Sequence, residues 1–136
     1  MSCWRERVVL SRTIAFIALG YASLILVSCD GSSDAERTAE VTTGGNVQQG
    51  ATAITRYGCG SCHVIPGISG AAGKAGPPLT GIADRIYIAG MLRNTPPNMM
   101  HWIEDPQSVN PKTVMPNLGV TPRDAADIAG YLYTLR

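Results

Sequence analysis

A chain of 136 residues has room for a single domain of ordinary size. Its formal net charge of +1 excludes the strongly basic class of nucleic-acid-binding proteins, so we expect no nucleic-acid partner. The four cysteines lie in three unrelated sequence contexts, which is not the pattern of a disulfide framework. They are Cys3, Cys29, Cys59 and Cys62.

Residues 1–28 have the pattern of an export signal. Arg5, Arg7 and Arg12 precede an apolar run at positions 14–27. A membrane-spanning helix needs about 20 apolar residues, so this run is short for a permanent anchor and suits a signal peptide. An uncleaved signal anchor is the alternative, and both interpretations place the rest of the chain outside the cytoplasm.

The signal ends in the sequence LVSC, with Cys29 directly behind a small residue. This arrangement resembles the lipobox of bacterial lipoproteins, in which the cysteine is lipidated and becomes the new N-terminus. A multiply acylated cysteine anchors a protein stably to a membrane. The resemblance implies lipidation at Cys29 and a location on the periplasmic side of the bacterial cytoplasmic membrane.

Residues 29–49 are polar and small and show no apolar periodicity, so we predict a flexible tether there. The globular domain is predicted to span residues 50–136. This part holds eleven of the 15 glycines and all nine prolines, but no phenylalanine. So few large apolar side chains cannot fill a conventional core at this size, which indicates a bound cofactor.

Three helices are predicted, over residues 51–58, 97–105 and 121–136. The last is the clearest, because Thr121 and Asp124 resemble a capping box and the apolar residues that follow share one face. We expect the first of these helices to cross the last one.

Small residues at Gly50 and Ala51 would permit a close approach at this crossing. No stretch alternates well enough to predict a strand, and residues 85–94 cannot be assigned. The predicted fold class is all-α.

The motif Cys59-x-x-Cys62-His63 brings together most of the reactive side chains of a chain that has only two histidines. On a helical turn, positions i, i+3 and i+4 share one face. Two thiols in this arrangement can add to the two vinyl groups of one porphyrin, while the imidazole of His63 reaches the iron. The motif therefore predicts covalent attachment of one c-type haem.

Two other kinds of site use a similar motif. A thioredoxin-like redox pair would need a strand before the motif and a helix after it, whereas Pro66, Gly67 and Gly70 follow here. A zinc site would need a further pair of Cys or His ligands, and only His101 is left.

The domain resembles the class I monohaem cytochromes c over its whole length. The string GPPLTGIADR at residues 76–85 matches the Gly-Pro-x-Leu segment of that family, followed by an arginine. By this resemblance the carbonyl of Pro77 accepts the Nδ1–H of His63, and Arg85 is a partner of a haem propionate. A plain proline turn and a solvated arginine are the alternatives.

The string PKTVMPNLGV at residues 111–120 resembles the loop that supplies the second axial ligand in the family. The resemblance implies that Met115 is this ligand, opposite His63. It also implies that Thr113 bonds a propionate and that Trp102 packs near the methionine sulfur.

His101 is the alternative second ligand, because two histidines can also bind a haem iron. Neighbouring positions on a helix point about 100° apart, so His101 and Trp102 cannot both face the pocket. The apolar face through Met99, Trp102 and Ile103 favours an inward Trp102 and an exposed His101.

The run at residues 94–116 resembles in detail the haem domain that is fused to subunit II of some haem–copper oxidases. The sequence holds no further cluster of Cys, His and Met for a copper centre, so we expect the cytochrome part alone on its lipid tether.

The resemblance implies an electron-transfer protein rather than an enzyme. We expect it to accept electrons from a quinol-oxidising complex or a dehydrogenase and to pass them to a terminal oxidase. The first alternative is a cytochrome c subunit of a membrane dehydrogenase or oxidase complex. A haem-based redox or gas sensor is the second.

Overall fold

The computed structural model describes residues 33–136, and this part of the chain is mainly helical. The export signal predicted for residues 1–28 and the lipidation predicted at Cys29 lie outside the described residues. In chain order the elements are α1 (Asp34–Thr43), α2 (Val47–Arg56), the 3-10 turns Cys59–Ser61 and Ile82–Asp84, β1 (Tyr87–Ile88), β2 (Leu92–Arg93), α3 (Pro96–Glu104), α4 (Pro106–Val109) and α5 (Pro122–Leu132). Within residues 33–136, no helix is long and apolar enough to cross a membrane.

The three predicted helices correspond to α2, α3 and α5, and their ends follow local capping chemistry. α5 begins at Pro122, which suits a first helical turn, and Thr121 Oγ1 accepts the N–H of Asp124 at 3.2 Å. α2 begins at Val47 rather than at residue 51, because Asn46 Oδ1 accepts the N–H of Gln49 at 2.9 Å.

The structure corrects the prediction of a flexible tether over residues 29–49, because residues 34–43 form helix α1. Ser33 and Glu36 make a reciprocal capping box at its start, and Gly44 ends it with a left-handed conformation (φ 70°). α1 packs against α5, and its buried residues are Ala39 and Thr43. The folded part therefore begins well before residue 50.

Helix α5 is the centre of the packing, with α1, α2 and α3 against it. The predicted crossing of α2 and α5 is present at Gly50, where an added Cβ would lie 2.1 Å from the carbonyl oxygen of Asp127. The neighbouring Gly45 is equally close to α5, with 2.0 Å between its added Cβ and the carbonyl oxygen of Ala126. Only glycine permits these two contacts.

The unassigned stretch at residues 85–94 contains a short antiparallel hairpin, in which Tyr87 pairs with Arg93 and Ile88 with Leu92. Its turn contains Ala89 (φ 52°) and Gly90 (φ 69°), both in the left-handed region that such tight turns require. The hairpin strand β1 contributes a buried residue to the core, whose members are Ala53, Ile54, Ile65, Ala71, Ile82, Ile88, Met99, Ile103, Val120, Ala125, Ile128, Ala129 and Leu132.

Candidate functional site

The two motif cysteines and His63 share one tight turn. Gly58 enters it in the left-handed conformation (φ 70°), and residues 59–61 form a 3-10 turn. The carbonyl of Cys59 then accepts the N–H groups of both Cys62 (3.2 Å) and His63 (3.1 Å). This backbone arrangement produces the helical-turn spacing that the sequence predicted for the three side chains.

Both cysteines are half-buried, and they are not joined in a disulfide. Burial raises the pKa of the Cys59 thiol above its ordinary value, and the neighbouring Cys62 adds to this shift. Redox-active pairs of the thioredoxin type instead need a lowered thiol pKa. Because the motif also follows helix α2 rather than a strand, its surroundings disfavour the thioredoxin-like alternative.

The segment at residues 76–79 runs alongside the motif and is joined to it by three hydrogen bonds. Gly76 N–H donates to the Cys62 carbonyl at 2.8 Å, and Leu79 N–H donates to the Val64 carbonyl at 2.9 Å. Between these two, His63 Nδ1 lies 2.7 Å from the Pro77 carbonyl oxygen, the partner expected from the sequence.

A carbonyl oxygen can only accept, so the proton of His63 is on Nδ1 and donates to Pro77. In the neutral imidazole this leaves the lone pair on Nε2, as a metal-binding imidazole requires. The hydrogen bond also fixes the orientation of the ring.

Small residues let the chain approach the motif this closely. An added Cβ at Gly76 would lie 2.3 Å from Cε1 of His63, and one at Gly73 would lie 2.3 Å from the Ser61 carbonyl oxygen. Any larger residue at Gly76 would push the imidazole out of its position.

Arg85 contacts the same segment and the residue that follows it. Its guanidinium donates to the carbonyl of Pro78 and, at 3.1 Å, to the carbonyl of Thr80. The structure thus places Arg85 on backbone carbonyls next to the residue that supports His63. Its role toward a haem propionate stays a prediction.

Helix α3 carries the two residues that compete for an inward position. Met99 and Ile103 are buried, and Trp102 is half-buried against the core. His101 is exposed, and its Nε2 lies 3.2 Å from Ser108 Oγ. These orientations agree with the expectation that Trp102 faces inward and His101 faces solvent.

The loop at residues 110–120, which we call the methionine loop, contains Met115 and has no regular secondary structure. Met115 is half-buried, and its N–H donates to Thr113 Oγ1 at 3.2 Å. Its carbonyl accepts from Nε2 of Gln107 at 2.7 Å. Sequence reasoning missed Gln107, because a contact between a four-residue helix and an irregular loop leaves no periodic signal.

The available donor groups suit a covalently attached haem. The turn offers two thiols and an imidazole with a free lone pair, and Met115 offers a thioether. Among the described residues, no group of three or more His, Cys, Asp or Glu side chains could hold a metal ion.

Comparison with protein families decides between haem attachment and the other uses of the cysteine motif. Residues 47–136 match the family model described as cytochrome c. The chain belongs to the cytochrome c family. It is accordingly an electron-transfer protein that carries covalently bound haem c, and its mainly helical structure has the small all-α fold predicted from the sequence.

One curated relative is 35% identical over 89 residues, the cytochrome c oxidase subunit 2 of Alkalihalophilus pseudofirmus (strain ATCC BAA-2126 / JCM 17055 / OF4). The aligned part covers 65% of this chain but 25% of the relative, so the chain spans about a quarter of that protein. This similarity confirms the resemblance to a haem domain of an oxidase subunit. No solved structure matches the chain.

Proposed function

We propose that the protein is a membrane-tethered one-electron carrier with a single haem c. Cys59 and Cys62 form the thioether links, and His63 and Met115 are the axial ligands of the iron. The observation that carries this proposal is the hydrogen bond of 2.7 Å between His63 Nδ1 and the Pro77 carbonyl, within a turn that also holds both thiols. The bond orients the imidazole and raises its basicity.

When bound, haem c supplies an iron that gains and loses one electron. The chain's own residues limit what has to move in that step. Two hydrogen bonds hold the peptide segment on either side of Pro77, so the imidazole keeps one orientation. Met115 supplies a soft thioether ligand, and this ligand pair favours a high reduction potential.

The membrane attachment in this proposal depends on Cys29, as a lipidated N-terminus on the periplasmic side of the cytoplasmic membrane. Electrons would enter from a quinol-oxidising complex or a dehydrogenase and leave to a terminal oxidase. Support for the acceptor comes from the relative named cytochrome c oxidase subunit 2. A tether favours this route because it raises the effective concentration of the carrier near membrane complexes.

The same relative also favours a second candidate, in which the chain is a fixed subunit of an oxidase or dehydrogenase complex. Extraction in a mild detergent followed by size-exclusion chromatography distinguishes the two. A carrier elutes alone, whereas a subunit elutes with a catalytic chain in constant ratio.

The axial ligands are tested with Met115→Ala and His101→Ala in the holoprotein. We expect Met115→Ala to remove the methionine–iron charge-transfer band of the ferric spectrum and to lower the reduction potential strongly. His101→Ala should leave both unchanged, because His101 is exposed and faces Ser108. The opposite pattern would replace our assignment with a low-potential bis-histidine haem.

The anchor is tested separately with Cys29→Ser. We expect this change to release the domain from membranes or to leave the signal uncut, as mass spectrometry of the mature N-terminus would show. A soluble wild-type protein with an unmodified N-terminus at another residue would contradict lipidation. The haem assignment does not depend on this result.

A further inference from the structure

The backbone of the methionine loop is poorly supplied with hydrogen bonds around Met115. Pro111 and Pro116 have no N–H group, and Val114, directly before Met115, is 88% exposed. The loop begins with a local turn, in which Thr113 N–H donates to the Asn110 carbonyl at 2.9 Å. Beyond that turn, the position of Met115 depends on side chains.

Gln107 supplies the shortest of these side-chain contacts. Its Nε2 donates to the Met115 carbonyl at 2.7 Å, and both residues are half-buried. The bond joins residues eight positions apart and closes the intervening chain into a ring. It acts on the peptide group of Met115 itself, so it restrains the point from which the thioether extends.

The element that carries Gln107 is well anchored. Pro106 is fully buried, and its carbonyl accepts the N–H of Asn110 at 2.9 Å. Ser108 Oγ donates to the Asp105 carbonyl at 2.8 Å, and Asp105 Oδ1 accepts the N–H of Ser108 at 3.3 Å. Gln107 therefore extends from a short helix that is fastened to the end of α3.

From these contacts we propose that Gln107 is a positioning residue, which keeps Met115 in place as a ligand by holding its backbone carbonyl. The inference rests on the proposed assignment of Met115 as axial ligand. In this role Gln107 acts on the backbone of Met115 and does not bind the iron or the thioether sulfur. It lowers the population of the state in which the methionine loop has moved away and the ligand position is open.

The experiment measures imidazole binding to the ferric, detergent-extracted holoprotein, because imidazole can bind only after Met115 leaves. We expect Gln107→Leu to raise the apparent imidazole affinity about fivefold, the effect of losing one ordinary hydrogen bond. Gln107→Glu keeps the length of the side chain but loses the donor at neutral pH, so it should give a similar increase. It also replaces the first variant if that variant does not fold.

The matched control is Gln48→Leu, the same replacement on the exposed face of α2. We expect its imidazole affinity to equal that of the wild type. The proposal is overturned if Gln107→Leu leaves the affinity unchanged, or if Gln48→Leu raises it equally. An increase in Gln107→Leu without one in Gln107→Glu would also overturn it, because side-chain shape rather than the donor would then matter.

A failure of the ligand assignment gives a different result. In that case the wild type lacks the methionine–iron charge-transfer band, or Met115→Ala does not remove it. Both the ligand assignment and the role of Gln107 then fail. If the band is present and depends on Met115, the imidazole measurements test Gln107 alone.

Discussion

The two regions that supply the proposed axial ligands are held by different kinds of contact. Around His63, the chain is joined to itself by backbone hydrogen bonds, such as those from Gly76 to Cys62 and from Leu79 to Val64. Around Met115, the backbone is held by the side chains of Gln107 and Thr113.

This difference determines how each region responds to mutation. A backbone hydrogen bond survives most side-chain replacements, so the His63 region is sensitive chiefly where glycine permits close approach. A side-chain hydrogen bond disappears with a single replacement. We therefore expect single side-chain replacements to change the position of Met115 by small amounts. Most replacements should leave His63 in place, and those at the closely packed glycines should displace it.

The largest effect is expected from the double replacement Cys59→Ala and Cys62→Ala. Without the thioether links, this glycine- and proline-rich chain has too few large apolar residues for an independent core. We expect no haem mass on the denatured protein and a loss of helical circular dichroism. Cys29→Ser serves as the control and should retain the haem mass. A folded double variant with a normal thermal transition would show that the core suffices alone.

Gly76→Ala should have the next largest effect, because the added Cβ would lie 2.3 Å from the ring of His63. Overpacking of this kind costs about 1–3 kcal/mol of the free energy of unfolding. Thermal unfolding of the ferric holoprotein measures this loss, and the electron paramagnetic resonance spectrum should show a reoriented imidazole. Ala75→Ser, at the exposed neighbouring position, should change neither. Equal behaviour of the two variants would refute the steric argument.

Thr113→Val should have a smaller and more local effect in the methionine loop. It removes the acceptor of the Met115 N–H while keeping the shape of the side chain. We expect a loss of about 1 kcal/mol in the stability of the ligated loop, measured as an increase in apparent imidazole affinity. The thermal midpoint should change little. Thr113→Ser keeps the hydroxyl and should behave as the wild type; an increase in that variant would argue against the hydrogen bond.

The smallest effect concerns Asp124, where the two regions are joined. Its carboxylate accepts from Tyr57 Oη at 2.8 Å, just before the cysteine motif, and from Thr121 Oγ1 at 2.8 Å, just after the methionine loop. These two hydrogen bonds, with Arg56 beside them, lower the pKa of Asp124 in the folded protein.

A lowered folded-state pKa means that Asp124 stabilises the protein above the unfolded-state pKa of about 4, and that this stabilisation disappears as the pH falls through the folded-state value. We expect Asp124→Asn to be slightly less stable at neutral pH and to lose less stability on acidification. Thermal midpoints measured between neutral and acidic pH test this. Parallel profiles for the two proteins would contradict it.

Local sequence patterns were sufficient for the features that depend on residues close together in the chain. The spacing of Cys59, Cys62 and His63 determined their shared turn, because Cys59 accepts from both later residues within that turn. Thr121 and Pro122 likewise determined where α5 begins, since capping involves only neighbouring residues. The resemblance to cytochromes c added Pro77, which the structure places against His63.

Other features depended on contacts between distant parts of the chain. Helix α1 was predicted as tether because its sequence is polar; the capping box of Ser33 and Glu36 was the local signal that could have found it. Its packing brings Thr43 close to Gly130 of α5, where an added Cβ would lie 3.2 Å from Thr43 Oγ1. Nothing in the sequence of α1 alone specifies that surface.

The hairpin at residues 87–93 and the contact of Gln107 with Met115 were decided by tertiary structure for the same reason. Two strands of two residues each are too short to produce an alternating pattern. The sequence around Gln107 does not specify its partner, because the fold of the methionine loop brings the Met115 carbonyl within its reach. The sequence alone determined which chemical groups this protein has for binding a haem. Tertiary packing decided how firmly each group is held, because that depends on neighbours that the chain brings together only when it folds.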